Sequence, residues 1–293
     1  MLTPPTQHIR PIRCAREYRY PPGVWAAAFA GVDWSSARCL SEKPGRAVWR
    51  VVLDLPGGPE ELVVKVCMHR SIVDSARSVA HLGRLQRQWR GAARLSRKGF
   101  GVARGLALLR GRAGGRSCDV LVMASAPGVP LIDLMASPGS LGVRTEHEIA
   151  RLLGELVSLL DGERLHSKDL KPSNILVDLN TEDGVPALTI IDSDTVGHRP
   201  DHPLLPLVLE PMGVGVLPRR SLLARAVKSW AWHEWLNAPY DTLEREIGGR
   251  PEHELARRAW AELEVLVEGH GDPTPRHDPL ERTAESLTLG GTA

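Results

Sequence analysis

Three polar side chains stand close together in the stretch LHSKDLKPSNILVD, Leu165–Asp178, directly before a short apolar run. Asp169 offers a carboxylate that can accept a proton, Lys171 offers a cation, and Asn174 offers an amide oxygen that can bind a metal ion. Phosphoryl transfer from a nucleotide needs these groups, because an acceptor hydroxyl must lose its proton while the charge of the transferred group is neutralised. The stretch is therefore a candidate catalytic loop, with Asp169 as the base.

Two further residues supply the remaining parts of this chemistry at the expected places along the chain. Lys65 lies in VVKV, in the second strand of a predicted hairpin, where a lysine can hold the α- and β-phosphates. Asp192 ends the apolar run TIID, where its carboxylate can bind magnesium together with Asn174, and Asp194 is the runner-up ligand. A surface turn that caps a strand is the competing interpretation of the loop. The recurrence of Lys65 and Asp192 in the right order disfavours it.

Hydrophobic periodicity predicts the elements that position these residues. Two β-branched runs from Ala47, separated by the turn LPGGPEE, predict a hairpin, and a second hairpin follows from Val102. Between them, apolar residues at spacings of three and four predict one amphipathic helix over residues 74–99. A third hairpin has Asn174 and Asp192 at its two ends, so strand pairing is expected to bring them close together.

The remainder of the chain reads as helical. Thr145 and Glu148 form a predicted capping box at the start of a long helix with one apolar face, which leads directly to the catalytic loop. Further helical patterns continue to about Gly269, and the polar sequence beyond predicts a disordered tail. The predicted organisation is an extended N-terminal arm (1–24), a β-rich lobe (25–124), a mainly helical lobe (125–268) and a tail (269–293).

Composition and charge narrow the possible classes of protein. With 42% hydrophobic and 25% charged residues and a net charge of +2, the chain is typical of globular proteins. The four cysteines form no CxxC pair, which argues against a zinc ribbon or a disulfide framework and favours a reducing cytoplasm. No apolar window approaches the ~18 residues of a membrane span. The arginines between positions 77 and 112 are interpreted as a solvated face rather than a nucleic-acid surface, because no nucleic-acid-binding motif accompanies them.

The order of Lys65, Asp169, Asn174 and Asp192 resembles that of the protein-kinase-like superfamily, over roughly Ala47 to Leu236. The stretch LHSKDLKPSNILV, followed by IIDSDTV in place of D-F-G, is most similar to the bacterial lipopolysaccharide core kinases, the Kdo and heptose kinase family. The stretches RLQRQWRGAARLSRKGFGVARGLAL and RRSLLARAV are similar to the same family.

The resemblance implies a fold, a cofactor and an acceptor. The fold is a two-lobed α+β kinase-like fold, in which the β-rich N-lobe has one main helix and the C-lobe is mainly helical. ATP is expected between the lobes with Mg²⁺, and the acceptor is expected to be a sugar hydroxyl of lipopolysaccharide core, at the inner face of the cytoplasmic membrane. The implied site residues are Asp169 and Lys171 for catalysis, Lys65, Gln88, Met123 and Ser125 for the nucleotide, and Asn174 and Asp192 for the metal.

Three departures from the family pattern keep other functions open. No G-x-G-x-x-G precedes Lys65, Gln88 stands where a helix glutamate pairs with the strand lysine, and Ser167 replaces the histidine of H-R-D. A surface position is an equally good interpretation of Gln88, and His166 is assigned a structural role. The alternatives are a protein Ser/Thr kinase, disfavoured by the missing A-P-E motif, a small-molecule phosphotransferase of the aminoglycoside or choline type, and a pseudokinase that acts as a binding module.

Overall fold

The computed structural model describes residues 4–136, 141–198, 200–213, 220–237 and 251–269. The chain divides into two compact units. The first unit runs up to Ala126 and includes Asp192–Thr195, and the second contains Pro127–Ile191 and the residues from Val196 onward. A six-stranded sheet dominates the first unit and helices dominate the second, so the predicted α+β fold class is confirmed. Beyond Gly269, the predicted tail lies outside the described residues.

The sheet of the first unit is antiparallel throughout, with the strand order β1-β5-β6-β4-β3-β2. Its strands are β1 (Gln7–Cys14), β2 (Arg38–Lys43), β3 (Arg46–Leu55), β4 (Gly58–Met68), β5 (Gly105–Ala113) and β6 (Arg116–Ala124). Two predicted hairpins are present as β3–β4 and β5–β6, and Lys65 lies in β4. The segment expected to form an arm contributes the edge strand β1, which pairs with β5.

The alternation of side chains along β4 places Lys65 away from the main core of the sheet. Leu62, Val64 and Val66 are buried on one face, and Lys65 projects from the other because successive side chains of a strand point to opposite faces. Helix α1 (Pro22–Ala30) belongs to the same core, to which it contributes the fully buried Trp25 and Phe29. The hydrophobic face of β4 therefore fixes the register that presents the lysine.

The helix predicted over residues 74–99 is wrong in one respect, because the structure has two helices there. These are α2 (Ile72–Val79) and α3 (Arg84–Arg97). The chain breaks at His81, which has a φ of 58°, and Gly83 precedes the first turn of α3. A Cβ at Gly83 would lie 2.1 Å from Oε1 of Gln86, whose amide reaches 3.0 Å to Asp119 on β6. This polar tether to the sheet ends α2 and sets the start of α3.

Asp119 is the centre of a buried polar cluster beneath α2 and α3. Its carboxylate accepts hydrogen bonds from Ser78 Oγ (2.7 Å) and Gln86 Nε2 (3.0 Å), and lies 3.4 Å from His69 Nε2 and 3.5 Å from Arg110 Nε. Burial by itself raises the pKa of this carboxyl, but the contact with His69 and the hydrogen bonds from Ser78 and Gln86 outweigh it, so the pKa of Asp119 lies below its ordinary value. The cluster ties both helices to the sheet.

The second unit combines a small antiparallel sheet with five described helices. Its elements are β7 (Val129–Pro130), β8 (Ile175–Asp178), β9 (Ala187–Ile190), α4 (Leu131–Ala136), α5 (Val143–Gly162), α6 (Leu205–Gly213), α7 (Arg220–Asn237) and α8 (Pro251–Gly269). The third predicted hairpin is present as β8–β9. The predicted capping box is wrong: α5 begins after Gly142, which places Thr145 inside the helix, and Glu148 pairs with Arg151 at 2.7 Å instead.

Helices α5 and α7 pack with their backbones in close approach. A Cβ at Gly154 would lie 2.5 Å from the carbonyl oxygen of Ala226, so the glycine is what allows this distance. Polar contacts flank the crossing: Arg225 pairs with Glu146 at 3.1 Å, and Ser158 donates a hydrogen bond to Glu234. Among the helices that the structure describes, none combines the length and the apolar character that crossing a bilayer requires.

The Asp119 cluster predicts a specific dependence of stability on pH. A carboxyl whose folded pKa lies below its unfolded value stabilises the fold above the unfolded pKa and loses this contribution as the pH falls through the folded pKa. We expect Asp119→Asn to be less stable by roughly 1–3 kcal/mol at pH 7 and to lose less stability on acidification to about pH 3. Urea unfolding followed by tryptophan fluorescence over this pH range measures both effects.

The matched control is Asp54→Asn, because Asp54 is exposed on β3 of the same sheet. This variant should reproduce the acid dependence of the unchanged protein. If Asp119→Asn lost stability in parallel with the unchanged protein as the pH fell, Asp119 would not be the group responsible.

Candidate functional site

Asp192, the carboxylate predicted to bind a metal, lies against two cations of the first unit. Its Oδ2 is 3.9 Å from Lys65 Nζ and 3.2 Å from Arg84 Nη2. The side chains of Lys65 and Asp192 are only 14% and 16% exposed, so their attraction is screened less than that of a surface pair. The structure therefore brings together the two residues that the sequence placed 127 positions apart.

Arg84 is a residue of this cluster that sequence reasoning missed. Its Nε lies 2.7 Å from Oδ2 of Asp194, whose side chain is 5% exposed, while its Nη2 contacts Asp192. One guanidinium thus bridges two carboxylates, and Asp194, in the turn after Asp192, is a buried ion-pair partner. The available signal was position: Arg84 lies one helical turn before Gln88, on the same face of the helix. It was hidden by the many other arginines of this segment.

Gln88 is buried, with 1% of its surface exposed, so the surface interpretation of this residue is wrong. Its side-chain amide donates a hydrogen bond to Met123 Sδ at 3.6 Å, and its backbone carbonyl accepts one from Ser193 Oγ at 2.9 Å. Two of the residues predicted for the nucleotide, Gln88 and Met123, therefore contact each other within the first unit. Ser125, which was also predicted to bind the nucleotide, donates a hydrogen bond from its hydroxyl to Glu61 Oε1 at 3.2 Å.

A glycine allows α3 to approach the segment Asp192–Thr195. A Cβ at Gly91 would lie 2.0 Å from the carbonyl oxygen of Ser193, a distance that no side chain tolerates without movement of the backbone. Because Arg84 and Gly91 lie on the same helix, this contact and the ion pair hold Asp192 against α3 from two directions.

The residues of the predicted catalytic loop contact one another in the second unit. Asn174 Nδ2 donates a hydrogen bond to the backbone oxygen of Asp169 at 2.9 Å, and Lys171 Nζ lies 3.5 Å from Asp169 Oδ1. The backbone amide of Asp169 donates to Ser167 Oγ at 3.3 Å, and Pro172 begins a short 3-10 turn that ends at Asn174. The structure thus brings together all three residues that the spacing predicted.

Glu210, on α6, is a second residue that sequence reasoning missed. Its carboxylate accepts hydrogen bonds from the backbone amide (2.7 Å) and the hydroxyl (2.6 Å) of Ser173, and Oε1 lies 3.8 Å from Lys171 Nζ. Lys171 is therefore held between Asp169 and Glu210. The only sequence signal was a single acid in the otherwise uncharged stretch LPLVLEPMG, which has no fixed spacing from the loop.

The hairpin β8–β9 links the loop to Asp192 along the chain. Ile175 pairs with Ile190, and the backbone amide of Ile191 donates to the carbonyl of Asn174 at 2.9 Å, so Asp192 follows directly after this pair. Asp192 Oδ1 is buried and has no hydrogen-bond partner among the described residues, and Asn174 donates through its nitrogen, which leaves its amide oxygen for a ligand. Carboxylate and amide oxygens fit the preference of Mg²⁺.

His166 has the structural role assigned to it. Its Nδ1 lies 2.9 Å from Asp161 Oδ1 at the end of α5, and its backbone carbonyl accepts a hydrogen bond from Gly197. The histidine therefore fastens the start of the catalytic loop to the helix before it, as a packing and hydrogen-bonding residue.

The comparisons with known proteins give similarities to kinase structures. No protein-family model and no curated protein matches the sequence. The kinase domain of Mycobacterium tuberculosis PknI is 18% identical, over 80% of this chain and 98% of that one, with a TM-score of 0.37. Rad53 in complex with AMP-PNP is 17% identical, over 84% of this chain and 62% of that one, with a TM-score of 0.38. These values assign neither a family nor an activity.

The close approach of Gly91 to Ser193 predicts that adding one methyl group at position 91 will lower the stability of the protein markedly. Gly91→Ala should destabilise the protein by about 1–3 kcal/mol, because α3 must withdraw from Ser193 to admit the Cβ. Thermal or urea unfolding measures the change. The control is Gly23→Ala in α1, where nothing lies within 4 Å of the added atom, and stability should stay level or rise by about 0.4–1 kcal/mol. Equal stability of the two variants would contradict the proposed packing.

Proposed function

We propose that this protein is an ATP-dependent phosphotransferase that phosphorylates a hydroxyl group. The observation that supports it best is the geometry of the catalytic loop, where Asp169, Lys171 and Asn174 contact one another. A surface turn has no need of a lysine held between two carboxylates, whereas phosphoryl transfer needs a base next to a cation. The ion pair of Lys65 with Asp192 adds the two groups expected for a nucleotide and its metal.

Each polar residue of the loop has one role in the proposed reaction. Asp169 accepts the proton of the acceptor hydroxyl as the hydroxyl oxygen bonds to the γ-phosphorus of ATP, and the bond from that phosphorus to the bridging β-phosphate oxygen breaks to release ADP. Lys171 neutralises charge on the phosphoryl group in transfer, and Glu210 holds the lysine and Ser173 in place for this role. Lys65 holds the α- and β-phosphates. Asn174 and Asp192 would hold magnesium, which would supply positive charge to neutralise the phosphate oxygens.

The proposed acceptor is a sugar hydroxyl of lipopolysaccharide core, with the protein at the inner face of the cytoplasmic membrane. The similarity of LHSKDLKPSNILV and IIDSDTV to the Kdo and heptose kinases supports this choice. A serine or threonine hydroxyl of a protein is equally consistent with the chemistry of the loop. The missing A-P-E motif favours the sugar.

The second candidate is a binding module without catalytic activity, and Arg84 is the observation that favours it. Its guanidinium already neutralises Asp192 and Asp194, the carboxylates that a magnesium ion would require. Gln88 also stands where the kinase pattern has the glutamate that pairs with the strand lysine. In this candidate function, the ion pairs of Arg84 with Asp192 and Asp194 take the place of the metal, and the loop binds a ligand without catalysing a reaction.

Replacement of the proposed base separates chemistry from binding. Asp169→Asn should lower kcat by about 10²- to 10⁴-fold while ATP affinity changes by no more than about twofold, because the residue acts on the acceptor. Radiolabelled phosphate transfer to a Kdo- and heptose-containing core oligosaccharide measures turnover, with casein as the protein acceptor. Asp201→Asn, at an exposed position of the same unit, is the control and should keep full activity.

Turnover of Asp169→Asn at the control level would show that the base is assigned wrongly. If phosphate were transferred to casein but not to the oligosaccharide, the protein would still be a phosphotransferase, but its acceptor would be a protein hydroxyl rather than a sugar.

Thermal shift measurements separate the enzyme from the binding module. The unchanged protein should be stabilised more by ATP with Mg²⁺ than by ATP with EDTA, since a ligand that binds the folded state raises the midpoint of unfolding. Asp192→Asn should lose the magnesium-dependent part of the shift. Arg84→Gln should increase it, because one competing cation is removed from Asp192. Equal shifts with and without magnesium for all three proteins would favour the binding module.

A further inference from the structure

A cavity of about 550 Å³ lies on the first unit, at the pairing of β1 with β5. Three arginines line it, Arg10, Arg110 and Arg112, together with His8 and Ser117. None of these residues takes part in the candidate active site. The cavity is open to solvent, since His8, Arg10, Arg112 and Ser117 are exposed, and its volume is within the range of about 300–1,000 Å³ that small-molecule sites occupy.

The charges around this cavity are unbalanced. Arg110 is the only one of its three arginines with a carboxylate partner among the described residues, Asp119 at 3.5 Å. That carboxylate also faces His69 at 3.4 Å, so its negative charge is shared. The side chains of Arg10 and Arg112 make no ion pair or hydrogen bond with any residue that the structure describes. Two unneutralised guanidinium groups therefore border the same cavity.

The strand register places like charges directly opposite each other. Arg10 on β1 is the partner of Arg110 on β5, and Arg112 is two residues further along the same strand. Like charges in this position destabilise a sheet, whereas an opposite charge between them stabilises it. The arrangement is unfavourable for the protein alone and favourable once an anion lies in the cavity.

A β-bulge shapes the wall of the cavity. His8 and Ile9 together stand opposite the single residue Gly111, and His8 has a φ of 53°, which a residue with a side chain adopts rarely. A Cβ at Gly111 would lie 2.5 Å from Ile9 Cδ1, so the glycine makes room for the buried isoleucine beneath the bulge. The extra residue, His8, is left on the cavity wall beside Arg10. Bulges of this kind commonly re-aim side chains near functional sites.

We propose that this cavity, named here the Arg10–Arg112 cavity, binds a phosphate group of a ligand. The planar fork of arginine matches the oxygens of phosphate in a bidentate manner, and two unpaired forks border the same space. The volume exceeds that of a single phosphate, so the ligand is a phosphoester, either soluble or in the headgroup of a phospholipid. Both sources share the chemistry that the arginines recognise.

The test uses the full chain with one probe for each source of the phosphate. Glycerol 3-phosphate is titrated by calorimetry at about 0.15 M salt, with glycerol as the uncharged comparison. Vesicles of phosphatidylglycerol are compared with vesicles of phosphatidylcholine in a sedimentation assay. Binding of either phosphate-bearing probe should weaken at least about tenfold in the double variant Arg10→Gln, Arg112→Gln, because both charge-assisted contacts are lost.

Arg13→Gln is the matched control, since Arg13 is exposed on the same strand but does not line the cavity. It should bind the probes as the unchanged protein does. Without ligand, the double variant should unfold at the same or a higher urea concentration than the unchanged protein, because repulsion between Arg10 and Arg110 is removed. Absence of binding to both probes, or an equal loss in Arg13→Gln, would overturn the proposal. Because phosphate transfer uses other residues, the double variant should keep that activity, which separates this proposal from the proposed function.

Discussion

The ion pairs of Asp192 are the interaction on which the arrangement of the first unit depends. A carboxylate that is largely removed from water requires positive charge close by, and here Lys65 and Arg84 supply it at 3.9 and 3.2 Å. Lys65 comes from the middle of the sheet and Arg84 from the first turn of α3. The strand register and the start of that helix must both be correct before the carboxylate is compensated.

Several features of the first unit are consistent with this requirement. The chain breaks between α2 and α3. Gln86, in the first turn of α3, donates a hydrogen bond to Asp119, and this contact fixes where Arg84 lies. Further along α3, Gly91 removes the side chain that would separate the helix from Ser193. Without the break, Arg84 would lie in mid-helix rather than in the first turn of a helix aimed at Asp192. Local polar contacts thus determine the geometry of the ion pairs around Asp192.

In the second unit, the carboxylate of Glu210 has the corresponding role for the loop. It accepts two short hydrogen bonds from Ser173 and lies 3.8 Å from Lys171. A four-carbon lysine side chain has many rotamers, and a carboxylate on either side reduces them to those that keep the ammonium beside Asp169. Asp169 and the ammonium group of Lys171 are consequently held together by the fold itself.

The strands and the spacing of the loop could be predicted because local sequence controls them. Alternating apolar residues identified β4 and placed Lys65 within it, and the interval between Asp169 and Asn174 gave a loop whose contacts the structure shows. The long helix over residues 74–99 was predicted without its break, because periodicity continues through Leu82 and says nothing about a tether to Asp119. Helix periodicity also cannot report a left-handed residue such as His81.

Sequence alone determined which chemical groups are present and their order along the chain: a lysine, the aspartate and asparagine of the loop, and a second aspartate. Only the tertiary structure decided that Arg84 and Glu210 belong with them. Residues far apart in sequence meet through packing, so no spacing rule connects Arg84 with Asp194 or Glu210 with Ser173. The same reason applies to the Arg10–Arg112 cavity, because the positively charged Arg10 and Arg110 face each other only when β1 pairs with β5.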